Sequence, residues 1–211
     1  MNNNLTELVF ILDRSGSMAH LEQDTIGGYN SLIAKQKKEQ GEACVTTALF
    51  DDRFELIHDN ADITKIFPLT DKEYYARGTT ALLDAIGKTI SHVANRQKFA
   101  PSSLVPGKTM VVIITDGFEN ASCEYNIKQV KAIIEHQKEK YNWEFLFLGA
   151  NMDAISAAGD IGIAPDRAAT YVADCKGTQM NFDAVHYAAC DMRAARSISA
   201  TWKEKIEKRN N

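Results

Sequence analysis

Residues 8–17 read Leu-Val-Phe-Ile-Leu-Asp-Arg-Ser-Gly-Ser, an unbroken apolar run followed directly by small polar residues. A run that is apolar at every position, rather than at alternate ones, is typical of a parallel strand buried on both faces of a sheet. Asp13 ends the run, and Gly16 permits a tight turn just beyond it. The pattern therefore predicts a central strand whose carboxyl end presents polar side chains.

Further buried strands alternate along the chain with segments of helical period. Apolar runs recur at residues 110–114 and 145–148, with a weaker one at 170–172. Apolar stripes at helical spacing lie at residues 26–33, 82–93, 127–134 and 182–192. Strands at 43–50 and 54–57 flank Asp51-Asp52-Arg53, which is typical of a tight hairpin. This alternation predicts an α/β fold: a doubly wound, Rossmann-like three-layer sandwich with a mostly parallel central sheet and helices on both faces.

The composition is that of an ordinary globular protein. The chain has 211 residues, of which 45% are hydrophobic and 25% charged, and no Pro/Ser-rich linker or repeat divides it. We therefore expect one domain over residues 1–211, with residues 1–4 disordered and residues 197–211 forming a C-terminal helical extension. Ile198, Trp202 and Ile206 give that extension a narrow apolar stripe. Packing of this stripe on the domain is expected, rather than contact with a partner.

Charge and cysteine usage exclude several classes of protein. The formal net charge of −4 gives no general attraction to nucleic acid or to an anionic membrane. The apolar run near the start is too short for a secretion signal or a membrane span. No two of the four cysteines form a C-x-x-C pair, and the five histidines show no metal-ligand spacing. We expect a cytoplasmic protein in which Cys44 and Cys190 are small core residues.

Candidate metal ligands follow the buried strands, where ligands bind in open α/β sheets. Asp13, Ser15 and Ser17 follow the first strand, and Asp116 follows the strand at 110–114. The loop Arg77-Gly78-Thr79-Thr80 opens the intervening helix, and Thr79 is the expected fifth ligand, with Thr80 as the adjacent alternative. All of these ligands are hard oxygens, which favour Mg²⁺ and are also compatible with Mn²⁺ or Ca²⁺.

These residues resemble the metal-ion-dependent adhesion site (MIDAS) of von Willebrand factor type A (VWA) domains. The resemblance rests on Asp13-x-Ser15-x-Ser17, the Gly78-Thr79 loop and Thr115-Asp116-Gly117, and it covers roughly residues 5–200. It implies the strand order 3-2-1-4-5-6, with residues 54–57 as an antiparallel edge strand. It also implies a complete metal site and binding of proteins through the metal, without enzymatic activity. Within this family, the chain resembles the stand-alone bacterial members more than the extracellular ones.

Two hypotheses about function follow, and they belong to different classes. The favoured one is a non-enzymatic, metal-dependent binding module that captures an acidic side chain of an unidentified protein partner. The alternative is a metal-dependent phosphatase or phosphotransferase in which Asp13 attacks. Such enzymes typically place a second aspartate where this chain has Ser15, so the general acid is missing. Arg14 and Arg77 could clamp an anion, although local pairing is the favoured interpretation.

Overall fold

The computed structural model describes residues 1–150 and 153–210. The strands in these residues are β1 (Asn2–Asp13), β2 (Glu42–Phe50), β3 (Phe54–Asp62), β4 (Pro106–Thr115), β5 (Glu144–Ala150) and β6 (Ala168–Tyr171). The α-helices are α1 (Glu22–Gln36), α2 (Leu82–Phe99), α3 (Ile127–Tyr141), α4 (Ala154–Asp160), α5 (Cys175–Arg193) and α6 (Glu204–Asn210). Strand and helix alternate along most of the chain, as the apolar pattern predicts.

The strands form a single six-stranded sheet in the order β3-β2-β1-β4-β5-β6. The β2–β3 pair is antiparallel, whereas every other neighbouring pair is parallel. β1 lies in the middle, where Leu8 is opposite Val45 on one side and Met110 on the other. The predicted fold class is confirmed, including the strand order and the antiparallel edge strand.

The central strand supplies side chains to two separate cores, one on each face of the sheet. Leu8, Phe10 and Leu12 pack in the core that includes residues of α1, α5 and α6. Val9 and Ile11 pack in the opposite core with residues of α2, α3 and α4. All five side chains are at most 1% exposed. Burial on both faces explains why this strand is apolar at every position, since each such side chain contributes roughly 1.5–3 kcal/mol to folding.

The two ends of the chain differ from the sequence-based expectation. Residues 2–4 were expected to be disordered, but β1 begins at Asn2, whose backbone N–H donates to the Val105 carbonyl at 2.8 Å. Pairing of a strand uses backbone groups and so tolerates polar side chains beyond the buried part of the sheet. At the other end, turns precede a short α6 instead of a helix from residue 197. Trp202 and Ile206 nevertheless pack in the core beside α5. Asn211 lies outside the described residues.

The order of the strands determines where a ligand can bind. The chain winds from β1 towards β3 on one side of the sheet and from β4 towards β6 on the other. The carboxyl ends of β1 and β4 are therefore adjacent at a topological switch point, the usual position of a ligand in such sheets. Leu12 is opposite Ile114 there, which brings Asp13 next to Thr115. No helix within the described residues combines the length and the apolar character needed to cross a membrane.

Candidate metal centre

Asp13 is a buried carboxylate held by neutral hydrogen-bond donors. Its side chain is 1% exposed and accepts from the Ser15 backbone N–H at 2.7 Å and from the Thr115 hydroxyl at 2.6 Å. Burial raises the pKa of Asp13 to about 6, with the nearby Asp116 adding to the rise and the two hydrogen bonds opposing it. These neutral donors compensate the negative charge of the carboxylate only in part, and a bound cation would compensate the rest.

Ser15, Ser17 and Asp116 form the adjoining part of the site. The Ser17 hydroxyl donates to the Asp116 carboxylate, and the Ser15 and Ser17 hydroxyl oxygens are 3.0 Å apart. Burial raises the pKa of Asp116 above its ordinary value, although the Ser17 hydrogen bond opposes the rise. Gly16 lies close to the backbone of Gly78, because its N–H donates to the Gly78 carbonyl at 3.1 Å. A Cβ added to Gly16 would lie 3.3 Å from that carbonyl oxygen, which leaves little room for a side chain at this turn.

The structure places the Thr80 hydroxyl against this cluster. A Cβ added to Gly117 would lie 2.8 Å from the Thr80 hydroxyl oxygen and 3.3 Å from that of Ser17, so both hydroxyls face the same small space. Thr80 is 3% exposed, whereas Thr79 is solvent-exposed. The preference for Thr79 over its neighbour therefore differs from the geometry. The reason is local: Gly78 adopts a left-handed conformation with φ of +67°, which sets the direction of the residues that follow.

The loop after Asp116 is attached to the start of α2 by two carboxylates that sequence reasoning did not assign to this role. Glu119 accepts from the Leu83 N–H at 2.8 Å and from the N–H groups of residues 121 and 122. Asp84 accepts from the N–H groups of residues 123, 124 and 125 at 2.8–3.0 Å. Both carboxylates position the loop that carries Asp116, and the helical pattern of α2 gives no signal for this role.

Arg14 and Asp51 form a buried ion pair beside the site. Both residues are 0% exposed, and the Arg14 Nε–H donates to Asp51 at 2.9 Å. Arg77 donates to the same carboxylate at 2.7 Å, and its guanidinium lies 5.1 Å from the centre of the Tyr75 ring. Burial alone would raise the pKa of Asp51, but the hydrogen bonds from Arg77, the Arg53 backbone and Arg14 keep it below its ordinary value. The two arginines are thus paired locally, as the sequence analysis favours.

The assembled side chains present only oxygen atoms. Asp13, Ser15, Ser17, Thr80 and Asp116 come from the ends of β1 and β4 and from the loop before α2. Carboxylate and hydroxyl oxygens are the ligands that Mg²⁺, Mn²⁺ and Ca²⁺ take in proteins, whereas zinc and copper sites usually include imidazole or thiolate. Ser17 is exposed, so the site opens to solvent on one side. The donor set therefore fits a hard divalent ion that keeps an accessible position.

Comparisons based on sequence find no relatives. No protein-family model matches the chain, and no curated protein matches it.

Solved structures of similar fold do exist. One is proximal thread matrix protein 1 from the mussel byssus, with a zinc-occupied MIDAS motif (TM-score 0.60, 15% identity, covering 90% of this chain and 47% of that one). Another is a von Willebrand factor type A structure from Catenulispora acidiphila, with a TM-score of 0.54 and 15% identity, covering 92% of this chain and 42% of that one. A third is the manganese-loaded TRAP protein of Plasmodium vivax, with a TM-score of 0.57 and 15% identity, covering 82% of this chain and 70% of that one. The chain spans about half the length of the mussel protein. Its fold is that of von Willebrand factor type A domains.

Proposed function

We propose that the chain is a non-enzymatic binding module that captures an acidic side chain of a protein partner through a divalent ion. Asp13, Ser15, Ser17, Thr80 and Asp116 would hold the ion, with Thr80 taking the place that sequence analysis gave to Thr79. Mg²⁺ is the ion we expect in the cell. The observation that carries the proposal is the convergence of these oxygen atoms at the switch point between β1 and β4.

The charge of the site favours an anionic partner. Two carboxylates balance a divalent ion only formally, while the three hydroxyl groups are neutral. A bound ion would supply a positively charged coordination position on the solvent side. A glutamate or aspartate of another protein meets that requirement. The zinc-occupied and manganese-loaded neighbours support a divalent ion in this fold, although their own partners and activities are not transferred to this chain.

The geometry gives little support to the alternative of a phosphatase that attacks through Asp13. Both oxygens of this carboxylate accept hydrogen bonds, and the side chain is 1% exposed. Ser15 stands where such enzymes would need a general acid. We therefore keep phosphate-ester turnover as a control assay and do not propose it as the function.

The two adjacent threonines provide a matched test of the ligand set. Thr80→Ala is expected to weaken Mg²⁺ and Mn²⁺ binding at least about tenfold, because it removes a buried hydroxyl that faces Ser17. Thr79→Ala is expected to leave the affinity within about twofold, because Thr79 is exposed. Titration calorimetry of both variants measures the difference. Equal effects, or a larger loss in Thr79→Ala, would contradict the assignment.

Partner capture tests the function itself. The wild-type protein, immobilised and incubated with lysate of its source in Mg²⁺, is expected to retain a protein that chelator releases. Asp116→Ala is expected to remain folded but to retain none of this protein, because the ion loses one of its two carboxylate ligands. Free glutamate at high concentration should compete for the captured protein. Retention of the same protein in chelator, or turnover of a generic phosphate ester that Asp13→Asn abolishes, would count against a binding module.

A further inference from the structure

Three residues with metal-binding side chains meet at the opposite end of the sheet from Asp13. Glu39 lies just after α1, and His186 and Cys190 lie one turn apart on α5. One ligand atom from each of the three lies within 4.8 Å of the others. The Cys190 sulfur is 3.7 Å from each nitrogen of the His186 ring. The histidines show no recognisable ligand spacing along the chain because Glu39 comes from a distant segment.

Arg193 holds the segment that carries Glu39 against α5. Its guanidinium donates to the backbone carbonyls of Gln36, Glu39 and Gly41 at 2.6, 3.1 and 2.8 Å. These bonds occupy the cationic group with carbonyl oxygens and fix the backbone of Glu39 relative to His186 and Cys190. The three side chains thus belong to a connected substructure and not to an unattached loop.

The acceptor atoms of the cluster point towards a common donor. The Gln36 side chain is 0% exposed, and its carboxamide nitrogen lies 2.8 Å from His186 Nδ1 and 3.5 Å from the Cys190 sulfur. A single N–H-bearing group therefore satisfies both residues at once. A cation at the cluster would compete for the same lone pairs, and the Gln36 carboxamide would keep its hydrogen bond to the His186 backbone carbonyl at 3.2 Å.

We propose that Glu39, His186 and Cys190 form a second metal site, selective for zinc. In a tetrahedral zinc site a sulfur ligand and a nitrogen ligand are separated by about 3.6 Å, given bonds of about 2.3 and 2.05 Å. The Cys190 sulfur is equidistant, at 3.7 Å, from the two ring nitrogens, so the His186 ring would have to turn to direct one nitrogen at a shared ion while keeping a separation of this size. Thiolate, imidazole and carboxylate together suit zinc, whereas the all-oxygen centre at Asp13 suits harder ions. The chain would then carry two sites of different preference at opposite ends of the sheet.

Access to the cluster and the protonation state of His186 are consistent with such a site. Glu39 and Cys190 line an open groove at the amino end of β1 and β4, which leaves a path for the ion and a fourth ligand. The groove is also lined by the cationic side chains of Lys38, Lys108, Arg193 and Arg196, so the fourth ligand is expected to be an anion. Burial lowers the pKa of His186, so its ring is in the neutral, ligating form at neutral pH. Burial raises the pKa of the Cys190 thiol, so the ion would have to displace the thiol proton on binding, as thiolate coordination requires.

Cobalt substitution tests the site without interference from the first centre. Co²⁺ added to the reduced protein in excess Mg²⁺ is expected to give a thiolate-to-cobalt charge-transfer band at one equivalent, and Zn²⁺ should abolish it. Cys190→Ser is expected to lose the band. Glu39→Gln and His186→Gln should each weaken Co²⁺ and Zn²⁺ binding at least tenfold. Cys175→Ser and His136→Gln serve as controls, and Asp116→Ala should keep the band because the oxygen centre contributes no sulfur.

Three results would overturn the proposal. The first is the absence of a charge-transfer band in the wild-type protein. The second is a band that survives in Cys190→Ser, since the sulfur would then come from another cysteine. The third is unchanged affinity in both Glu39→Gln and His186→Gln, which would reduce the site to adventitious binding by one thiol. The Glu39→Gln result does not depend on the core, because this residue lies in a surface segment.

Discussion

Asp13→Asn is expected to abolish divalent-ion binding and, in chelator at pH 8, to leave the protein more stable than the wild type. Burial raises the pKa of Asp13 from its ordinary value of 3.8 to about 6 in the folded protein. The folded state therefore retains this proton over a pH range in which the unfolded chain has lost it. Wild-type stability without metal is full below pH 3.8 and falls as the pH rises through 6.

The size of this effect follows from the difference between the two pKa values. A rise from 3.8 to 6 corresponds to about 3 kcal/mol of stability lost at pH 8, and the neutral asparagine escapes most of that loss. Urea unfolding in chelator compares the variant with the wild type at pH 8, where the full difference is expected, and at pH 5, where about half of it is expected. The exposed Asp71→Asn is the control. Adding Mg²⁺ should raise the midpoint of the wild type only. A variant less stable than the wild type in chelator at pH 8, or one still stabilised by Mg²⁺, would refute this explanation.

Asp51→Ala is expected to lower the free energy of unfolding by about 3–5 kcal/mol. The substitution leaves the Arg14 guanidinium, which is 0% exposed, without the carboxylate that accepts its Nε–H. Breaking a buried pair on one side costs this much because the remaining charge stays desolvated. Arg14 keeps its bonds to the half-exposed Glu55 at 2.8 Å and to the Glu73 carbonyl at 3.0 Å, so the lower end of the range is expected. Arg77 loses its ion-pair partner as well, but it is partly exposed and can be hydrated.

Two further variants separate this charge effect from general damage to the hairpin. Asp52→Ala removes the adjacent, exposed aspartate and is expected to change stability by no more than about 0.5 kcal/mol. The double variant Arg14→Met with Asp51→Leu is expected to recover much of the loss, since apolar residues remove both buried charges together. The partners left behind, Arg77 and Glu55, are partly exposed and can be hydrated. A cost for Asp51→Ala below about 1 kcal/mol would show that the pair is not a principal stabilising contact.

Much of the fold follows from patterns that are local in the sequence. Three strands are apolar at every position because each has a core on both sides, namely those at residues 8–12, 110–114 and 145–148. Their burial can therefore be predicted from the sequence alone. The short helix α4 was missed because its sequence, Ala-Ile-Ser-Ala-Ala-Gly-Asp, is too short to show a helical stripe. The sequence did not predict the ordered strand at residues 2–4, because backbone pairing does not require apolar side chains.

The candidate site was predictable in composition but not in every residue. Asp13 and Asp116 follow apolar runs directly, so their meeting at one edge follows from the topology alone. The choice between Thr79 and Thr80 depends on the positive φ of Gly78, which residue types do not reveal. The roles of Asp51 and Asp84 depend on contacts with distant segments. The cluster of Glu39, His186 and Cys190 likewise joins residues about 150 positions apart.

The central claim is that five oxygen-bearing side chains at the ends of β1 and β4 hold one divalent ion. A crystal structure of the protein grown with Mn²⁺, with an anomalous difference map, tests it most directly. The claim predicts a manganese peak between the hydroxyl groups of Ser15, Ser17 and Thr80, on the side of Asp13 and Asp116. The absence of a peak there in crystals containing excess Mn²⁺, or a peak coordinated by Thr79 instead of Thr80, would contradict it.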